Sequence, residues 1–443
     1  MNDNSRELSA FDIGCVVVGG IIGVGIFFTP QRVAVAVDTP GQVLLAWGLG
    51  GALAVLGAIV FAELSLAVPG HGGTFRYLQQ AFGPRLAFYY GWANWLVIQA
   101  GAAGIVALLL VNHLRFALWP EAEWSETTRV LAAAAVVLGF TAINVVGLRT
   151  GKRVQNALTV LKVLALAWLV TLAWFEPRSG AAIAPPAPSG RSLPAMLAAA
   201  MLPVLFATGG WQQGSFVAGA ARHRRSVALG ILGGVAVVVV TYMTVNSAYL
   251  DLLGFEGARA SSEIGAAAAE AALGADGGRV LAAMVVVSAA GILNTICLAP
   301  PYVLYALAQE RCFPAAFGRL HSRFGTPVLG VLGQGLWAVL LLLLAHWAIA
   351  RLASSSTQDT LGFVTDGVVY VDWLFFMLCG VALLTLRSRG ATRAPFGGVV
   401  ALAFTLGAAT VTIGAIWVQP VASLVGTLLV LAGTFFRPRR ASR

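Results

Sequence analysis

The segment VGGIIGVGIFFTP, residues 18–30, lies in an apolar run long enough to form a membrane-spanning helix, yet it contains four glycines within seven residues. Glycine in a helix interior costs about 0.5–1 kcal/mol relative to alanine. Unwound backbone is tolerated at membrane depth only where it is buried in protein or lines a cavity. The glycine cluster therefore predicts a break in the first membrane helix, placed beside a cavity.

A second glycine-rich interruption lies in residues 202–216, LPVLFATGGWQQGSF, where Pro203 precedes Gly209 and Gly210. The two interrupted segments are five apolar runs apart, so they cross the membrane in opposite directions. Broken helices at corresponding positions of two halves are typical of an inverted repeat with a substrate site at the membrane midplane. Free N–H groups at a half-helix N-terminus suit a carboxylate and free carbonyls suit an ammonium, which predicts an amino acid as ligand. Close helix packing through small residues is the alternative interpretation.

The composition indicates an all-α polytopic membrane protein. Of the 443 residues, 58% are hydrophobic and 10% are charged, whereas soluble domains are about one-quarter charged. A membrane helix needs about 20 apolar residues, and we predict twelve, at roughly 11–36, 42–67, 86–111, 128–147, 155–175, 195–218, 228–252, 279–307, 328–350, 362–386, 397–418 and 420–436. We expect one transmembrane domain over 1–443, with repeats at about 11–175 and 195–386 and two further helices within 397–436.

The basic residues predict the orientation of these spans. With both termini in the cytoplasm, the inner connections contain 19 lysines and arginines and the outer connections seven, in agreement with the positive-inside rule. We therefore expect a multi-pass protein of the cell (plasma or inner) membrane with cytoplasmic N- and C-termini. The net charge of +10 comes from these connections and does not indicate a nucleic acid partner. The four cysteines show neither pairing nor metal spacing, so we expect free thiols.

Several motifs resemble those of the amino acid–polyamine–organocation (APC) superfamily, in particular bacterial relatives of its L-type amino acid transporter branch. The motifs are GGIIGVGIFFTP in span 1, FAELSLAVPGHGGTFRYLQQAFG at the exit of span 2, RVQNALTVLKVLALA in span 5, FATGGWQQGSFVAG in span 6 and YALAQERCFP after span 8. The resemblance implies a five-plus-five inverted-repeat (LeuT-like) fold with two extra C-terminal helices, in which helices 1 and 6 are broken. It also implies a secondary active amino acid transporter that works by alternating access.

The resemblance assigns substrate contacts to both breaks. The substrate carboxylate is expected at the backbone N–H groups of Ile22, Gly23, Val24 and Gly25. The amine is expected at the carbonyls of Gly19, Gly20, Phe206 and Ala207. Phe206 is the expected gate over the substrate, Trp211 either gates or packs, and Asn294 either lines the site or holds span 8. Val24 replaces a serine of many members and Thr208 replaces a frequent aromatic, so the pocket is expected to differ in shape and polarity.

Lys162 is a charged residue predicted inside span 5. A lysine at the membrane centre costs about 2.5–3.5 kcal/mol on insertion scales, so it requires a partner. One interpretation is that its side chain snorkels to the cytoplasmic interface. The interpretation implied by the resemblance is that its ammonium takes the place of sodium in ion-coupled relatives, contacts the carbonyl of Gly19 and Ser288, and makes transport sodium-independent.

Two carboxylates are also predicted within the spans. Glu63 lies near the cytoplasmic end of span 2, where a helix-end charge in a hydrogen-bonded corner is favoured over a role in proton binding. Asp372 lies near the outer end of span 10, where eukaryotic relatives have asparagine. Four interpretations remain open for Asp372: proton binding, a preference for cationic substrates, pairing with Arg32, or a structural salt bridge.

Other functional classes find little support in the sequence. We expect no enzyme, cofactor or metal site, because no HExxH, GxSxG or phosphate-loop pattern is present. The favoured function is sodium-independent transport of neutral amino acids, by exchange or facilitated diffusion. The alternatives are a proton-coupled symporter of cationic amino acids or polyamines and a non-transporting amino acid sensor. The partners are then a small-molecule amino acid and the lipid bilayer, and because residues 112–127 lack cysteine, no disulfide-linked heavy chain is expected.

Overall fold

A computed structural model describes residues 7–175, 190–261, 263–352, 357–394 and 396–436. Within these ranges the regular structure is helical, apart from one isolated parallel β-bridge between Leu8 and Ala221. The helices are α1 Ala10–Ile21, α2 Thr29–Ala36, α3 Pro40–Ala67, α4 Thr74–Phe82, α5 Pro84–Ala93, α6 Ala100–Leu118, α7 Glu126–Val145, α8 Leu148–Phe175, α9 Leu193–Thr208, α10 Gln213–Phe216, α11 Arg224–Ala260, α12 Ile264–Leu273, α13 Gly277–Leu298, α14 Pro301–Gln309, α15 Val328–Leu352, α16 Thr357–Ser388, α17 Gly397–Val418 and α18 Pro420–Phe436.

The described chain contains ten helical segments that are long and apolar enough to cross a membrane, which confirms a polytopic helical membrane protein. Two of the twelve predicted spans fall outside this set. The first is divided into the short helices α1 and α2, and the last is the 17-residue α18. Some spans combine several elements: α5 and α6 are joined by a π-helical stretch, Asn94–Gln99, and α13 gives way to α14 at Pro300 and Pro301.

Both glycine clusters interrupt helical structure. The helix α1 ends at Ile21, Ile22 and Gly23 are extended, and a 3-10 turn, Val24–Phe27, leads to α2. The helix α9 ends at Thr208, and Gly210 follows with φ +127°, a conformation that L side chains rarely adopt. A Cβ atom on Gly210 would also lie 2.6 Å from the carbonyl oxygen of Gly20, so only glycine lets the two breaks approach this closely.

The helices α1, α8 and α11 begin at the same end of the bundle and are tied together there. A capping box between Ser9 and Asp12 starts α1. The Asp12 carboxylate also accepts hydrogen bonds from Lys152 Nζ at 3.1 Å and from Asn156 Nδ2 at 2.7 Å, both on α8. The β-bridge at Leu8 connects α1 to the segment before α11. Polar contacts therefore fix the start of α1, while its remaining length is held by apolar packing.

The central bundle is built from long helices that pack in pairs. Among the larger contacts are those of α3 with α11, of α6 with α13, and of α7 with α15. The helix α1 also packs closely on α11, because Gly230 and Gly234 leave room for Ile13 and Val17. The breaks of α1/α2 and α9/α10 are enclosed by these helices, which positions the candidate site inside the bundle.

Candidate functional site

The two interrupted helices face each other. The ideal Cβ position of Gly20 lies 3.4 Å from the carbonyl oxygen of Gly210 and 3.1 Å from Cγ of Gln213. On the other side of the break, the ideal Cβ position of Gly25 lies 3.5 Å from Cβ of Ala207. The structure therefore brings together the span 1 and span 6 residues that the sequence predicts to bind substrate.

The backbone N–H groups at the first break differ in their availability. The N–H of Ile22 donates to the carbonyl of Val18 at 2.8 Å, so in this structure it is not free for the substrate carboxylate expected there. Val24 and Gly25 begin a 3-10 turn, whose first N–H groups have no partner within the turn. The donors left for a carboxylate are those of Val24 and Gly25, together with that of Gly23, which also lies within reach of the Tyr242 oxygen.

A tyrosine that the sequence analysis did not identify joins the two breaks. The hydroxyl of Tyr242, on α11, lies 3.1 Å from the carbonyl oxygen of Ile21 and 3.0 Å from that of Ala207. Its ring is buried and meets Trp47 edge to face at 5.4 Å. One hydroxyl proton is shared between the two acceptors, so the carbonyl of Ala207 is partly engaged. The signal in the sequence was a tyrosine within an apolar span, because a buried tyrosine usually has a hydrogen-bond partner.

Lys162 points inward to the first break. Its Nζ donates to the carbonyl oxygen of Ile22 at 2.7 Å and to that of Ser288 at 3.2 Å, and the side chain is buried. The hydroxyl of Ser288 donates to the same Ile22 carbonyl at 3.2 Å. The inward geometry disfavours snorkelling. The ammonium thus links α8, α13 and the end of α1.

The carbonyl that Lys162 contacts is not the predicted one. The carbonyl expected was that of Gly19, and the structure uses Ile22, three residues or about 4.5 Å further along the helix. Gly19 instead faces Gln155 and Thr295, and an added Cβ would clash with the polar atoms of both. The helix ends between the two positions, and the extended backbone of Ile22 turns its carbonyl toward Lys162.

Asn294 is fully buried in a network that joins α7, α8 and α13. Its Nδ2 donates to the carbonyl of Gly151 at 3.1 Å and to Oε1 of Gln155 at 2.8 Å, and its Oδ1 accepts from Asn144 Nδ2 at 2.9 Å. Of the two interpretations given by the sequence, the structure favours the one in which Asn294 holds span 8. We therefore leave it out of the substrate site proposed below.

The remaining span 6 residues have separate environments. Phe206 is 44% exposed at the end of α9, and its role as a gate stays a prediction. Thr208 is buried and donates to the carbonyl of Val204 at 3.0 Å, within its own helix. Trp211 is fully buried against Trp373 and Phe376, with ring centroids at 6.0 Å and 5.0 Å, so packing is the better description of its role.

The two predicted carboxylates differ in their surroundings. Glu63 forms an ion pair with Arg387 and accepts a hydrogen bond from Thr392 Oγ1 at 2.8 Å, which supports the structural interpretation. Asp372 is half-buried on α16, and within the described chain it forms no ion pair. The pair with Arg32, one of the four interpretations of Asp372, is therefore not formed, and Arg32 is exposed.

A buried polar chain also runs from the second break into span 3. Gln213 Nε2 donates to Gln99 Oε1 at 3.3 Å, and Gln99 Nε2 donates to Asn94 Oδ1 at 3.1 Å. Asn94 and Gln99 bound the π-helical stretch, a conformation often found at functional sites. Among the described residues no three His, Cys, Asp or Glu side chains are grouped to hold a metal.

Taken together, the described residues form a polytopic helical membrane protein in which two interrupted helices enclose free backbone donors and acceptors. A sequence model of the family described as amino acid permease matches residues 8–436. The chain therefore belongs to the amino acid permease family, within the APC superfamily, as its motifs predicted.

The chain is similar over most of its length to several characterised transporters. It is 27% identical over 430 residues to the serine/threonine exchanger SteT of Bacillus subtilis, covering 93% of this chain and 92% of the relative. It is 26% identical over 443 residues to the mouse large neutral amino acids transporter small subunit 2, covering 97% and 80%. It is 25% identical over 385 residues to the mouse b(0,+)-type amino acid transporter 1, covering 86% and 76%.

Proposed function

We propose that this protein is a sodium-independent transporter that exchanges neutral amino acids across the cell membrane by alternating access. The family is that of amino acid permeases, and the similar proteins include a serine/threonine exchanger and a large neutral amino acid transporter. The observation that carries the proposal is the buried ammonium of Lys162 at the first break, 2.7 Å from the carbonyl oxygen of Ile22.

A fixed ammonium explains sodium independence in electrostatic terms. Carbonyl oxygens at the end of a broken helix suit a small cation, because the helix C-terminus is the negative end of its dipole. The Lys162 ammonium already satisfies the carbonyls of Ile22 and Ser288. A sodium ion bound there would have to displace a covalently held positive charge, so we expect no coupling to sodium.

The substrate then binds between the two breaks through backbone groups. Its carboxylate accepts hydrogen bonds from the N–H groups of Gly23, Val24 and Gly25. Its ammonium donates to the carbonyls of Gly19, Gly20 and Phe206. The carbonyl of Ala207 also accepts from the ammonium, although it already accepts a hydrogen bond from Tyr242. The ring of Phe206 closes over the bound molecule, and Thr208 contributes to the shape of the pocket. These contacts use the groups that every α-amino acid has in common, which leaves the choice of side chain to the rest of the pocket.

We further propose the twelve-span, five-plus-five inverted-repeat fold with repeats at about 11–175 and 195–386. The support is the packing of α3 with α11, α6 with α13 and α7 with α15, because each pair joins two spans that lie five apart. Such pairs are expected to meet around a pseudo-two-fold axis. The positive-inside count supports cytoplasmic termini, and the absence of cysteine from 112–127 argues against a disulfide-linked partner at that connection.

Uptake into proteoliposomes tests the proposal. Vesicles are prepared either empty or preloaded with amino acid, and sodium and the pH gradient are varied independently. We expect uptake of radiolabelled neutral amino acids that requires preloading and does not change when sodium is replaced by choline. Strict sodium dependence would contradict the role of Lys162, and binding without flux would identify a sensor.

Proton-coupled transport of cationic amino acids or polyamines is the second candidate, and Asp372 supports it. This carboxylate is half-buried within a span and has no ion pair in the described chain, and an ionisable residue in a membrane helix commonly marks a substrate or proton pathway. For this candidate we expect uptake of lysine into empty vesicles when an inward proton gradient is applied. We expect this uptake to be lost in Asp372→Asn. If Asp372→Asn leaves uptake and its pH dependence unchanged, the second candidate is wrong.

A further inference from the structure

A hollow of about 460 Å³ lies on the surface of the bundle where α1, α8 and α11 meet. Phe11, Leu164 and Leu229, one from each helix, are each 61% exposed at its edge, so it faces the bilayer. Glycines give it depth: Gly14, Gly230, Gly233 and Gly234 all contribute to its walls. The hollow has the apolar lining that a lipid chain requires and lies on the opposite side of α1 from the predicted substrate contacts.

Two unpaired arginines stand at one end of this hollow. Arg153 precedes Val160 by seven residues on α8, and Arg225 precedes Leu229 by four on α11, spacings that place each arginine on the same helix face as the lining residue. Both are exposed, and within the described part of the chain neither forms an ion pair.

The acidic residues at this end are already neutralised. Glu7 pairs with Arg149 at 2.6 Å, and Asp12 pairs with Lys152 at 3.1 Å. Arg222 adds another exposed positive charge, and its N–H donates to the carbonyl of Leu8 at 2.9 Å, next to the start of α1. The end of the hollow where the three helices begin is therefore basic, and the positive ends of their dipoles add to this field.

From this combination we propose that the hollow is a binding site for one anionic phospholipid of the membrane. One acyl chain occupies the apolar space between α1, α8 and α11, and the phosphate headgroup lies at the end flanked by Arg153 and Arg225. Contact between apolar side chains and lipid tails gives little net affinity in a bilayer, because the competing surroundings are equally apolar. The arginines therefore decide which lipid is bound, since each basic residue near the headgroup raises the affinity for an anionic lipid by about fivefold.

Lipid binding to the full-length protein tests the site. Native mass spectrometry measures the retention of dioleoyl-phosphatidylglycerol and dioleoyl-phosphatidylcholine, which share their acyl chains and differ in charge. The headgroup is tested by Arg153→Gln with Arg225→Gln, and the hollow by Gly233→Leu, because a Cβ atom on Gly233 meets no atom within 4 Å. We expect one tightly bound phosphatidylglycerol whose affinity falls at least about tenfold in the double arginine variant. The affinity also falls in Gly233→Leu, because the leucine side chain occupies the space of the acyl chain.

Matched controls separate this site from general effects. Arg85→Gln with Arg393→Gln removes two other exposed charges, and Gly139→Leu fills open space beside α7. Both controls are expected to retain the phosphatidylglycerol. Equal retention of the two lipids would overturn the proposal, as would equal loss in test and control variants or unchanged binding in the test variants. Elution from size-exclusion chromatography establishes that each variant is folded.

Discussion

The ammonium of Lys162 and the carbonyl of Ile22 lie 2.7 Å apart, and this contact joins the middle of α8 to the point where α1 ends. The same carbonyl accepts a hydrogen bond from the hydroxyl of Ser288 on α13. The end of a broken helix is thereby fixed to two intact ones. Any movement of α1 that accompanies transport must either carry this contact along or break it.

Replacing Lys162 with methionine is expected to reduce exchange by at least about tenfold. The side chain keeps its length but loses a charged donor, and hydrogen bonds to charged groups contribute about 1.5–3 kcal/mol each. Initial rates of exchange in proteoliposomes measure the effect. Arg149→Met is the control, because Arg149 belongs to the same helix but forms an exposed ion pair, a type worth about 0–1 kcal/mol. Comparable loss in both variants would contradict a specific role for Lys162.

Replacing Tyr242 with phenylalanine tests the link between the two breaks. The ring still packs on Trp47, but the carbonyls of Ile21 and Ala207 lose their donor. A net hydrogen bond contributes about 0.5–1.5 kcal/mol, so we expect exchange to fall by about two- to tenfold. Tyr249→Phe on the same helix is the control, because its buried hydroxyl has no partner among the described residues. A larger effect in Tyr249→Phe would show that the shared hydroxyl is not what matters.

Asn294→Ala is expected to lower stability without changing the apparent KM. The substitution removes three buried hydrogen bonds and leaves Oε1 of Gln155 without a donor, at a cost of about 1–3 kcal/mol for that unsatisfied group, whereas Nδ2 of Asn144 keeps its bond to the carbonyl of Phe140. The melting temperature in detergent and the substrate dependence of exchange are measured on the same preparation. A large rise in KM at an unchanged melting temperature would return Asn294 to the substrate site.

The ion pair of Glu63 with Arg387 is expected to stabilise the contact between α3 and α16. Glu63→Gln leaves a partly buried guanidinium without its counter-charge, and we expect a loss of up to about 3 kcal/mol. A double-mutant cycle with Arg387→Gln measures the coupling through melting temperatures. If the two single losses simply add, the pair contributes nothing beyond its separate side chains, and the structural role assigned to Glu63 is wrong.

His71, in the connection between α3 and α4, predicts a pH dependence of stability. Its ring stacks on Tyr302 at 4.4 Å, and burial lowers its pKa to about 4. A histidine in the unfolded chain titrates near 6.5, so between about pH 6.5 and 4 the unfolded state binds more protons and stability falls as the pH decreases. Melting temperatures at pH 7.5 and 5 should differ less in His71→Gln than in the parent protein. The exposed His321 supplies the control, His321→Gln, whose pH dependence should match that of the parent protein.

The sequence by itself determined where the helices break and what surrounds them. The runs of apolar residues required membrane helices, because the bilayer core offers no hydrogen bonds to exposed backbone. The clusters at Gly19–Gly25 and at Gly209–Gly210 made uninterrupted helices costly, and the structure interrupts both. Lys162 in span 5 required a partner because the bilayer core does not solvate a charged group. Each of these conclusions follows from local composition and from the properties of the bilayer, so none of them requires knowledge of the tertiary contacts.

Only the tertiary structure decided which groups meet. The partner of Lys162 is Ile22 and not Gly19, because α1 ends at Ile21 and the extended backbone that follows turns the carbonyl of Ile22 toward Lys162. Asn294 belongs to a packing network and Tyr242 bridges the two breaks. A polar side chain within an apolar span indicates that it has a hydrogen-bond partner, but the sequence does not identify that partner. Hydrogen-bond partners depend on distances of a few tenths of an ångström between helices far apart in the chain. Those distances are set by the packing of the whole bundle, which periodicity and composition do not encode locally.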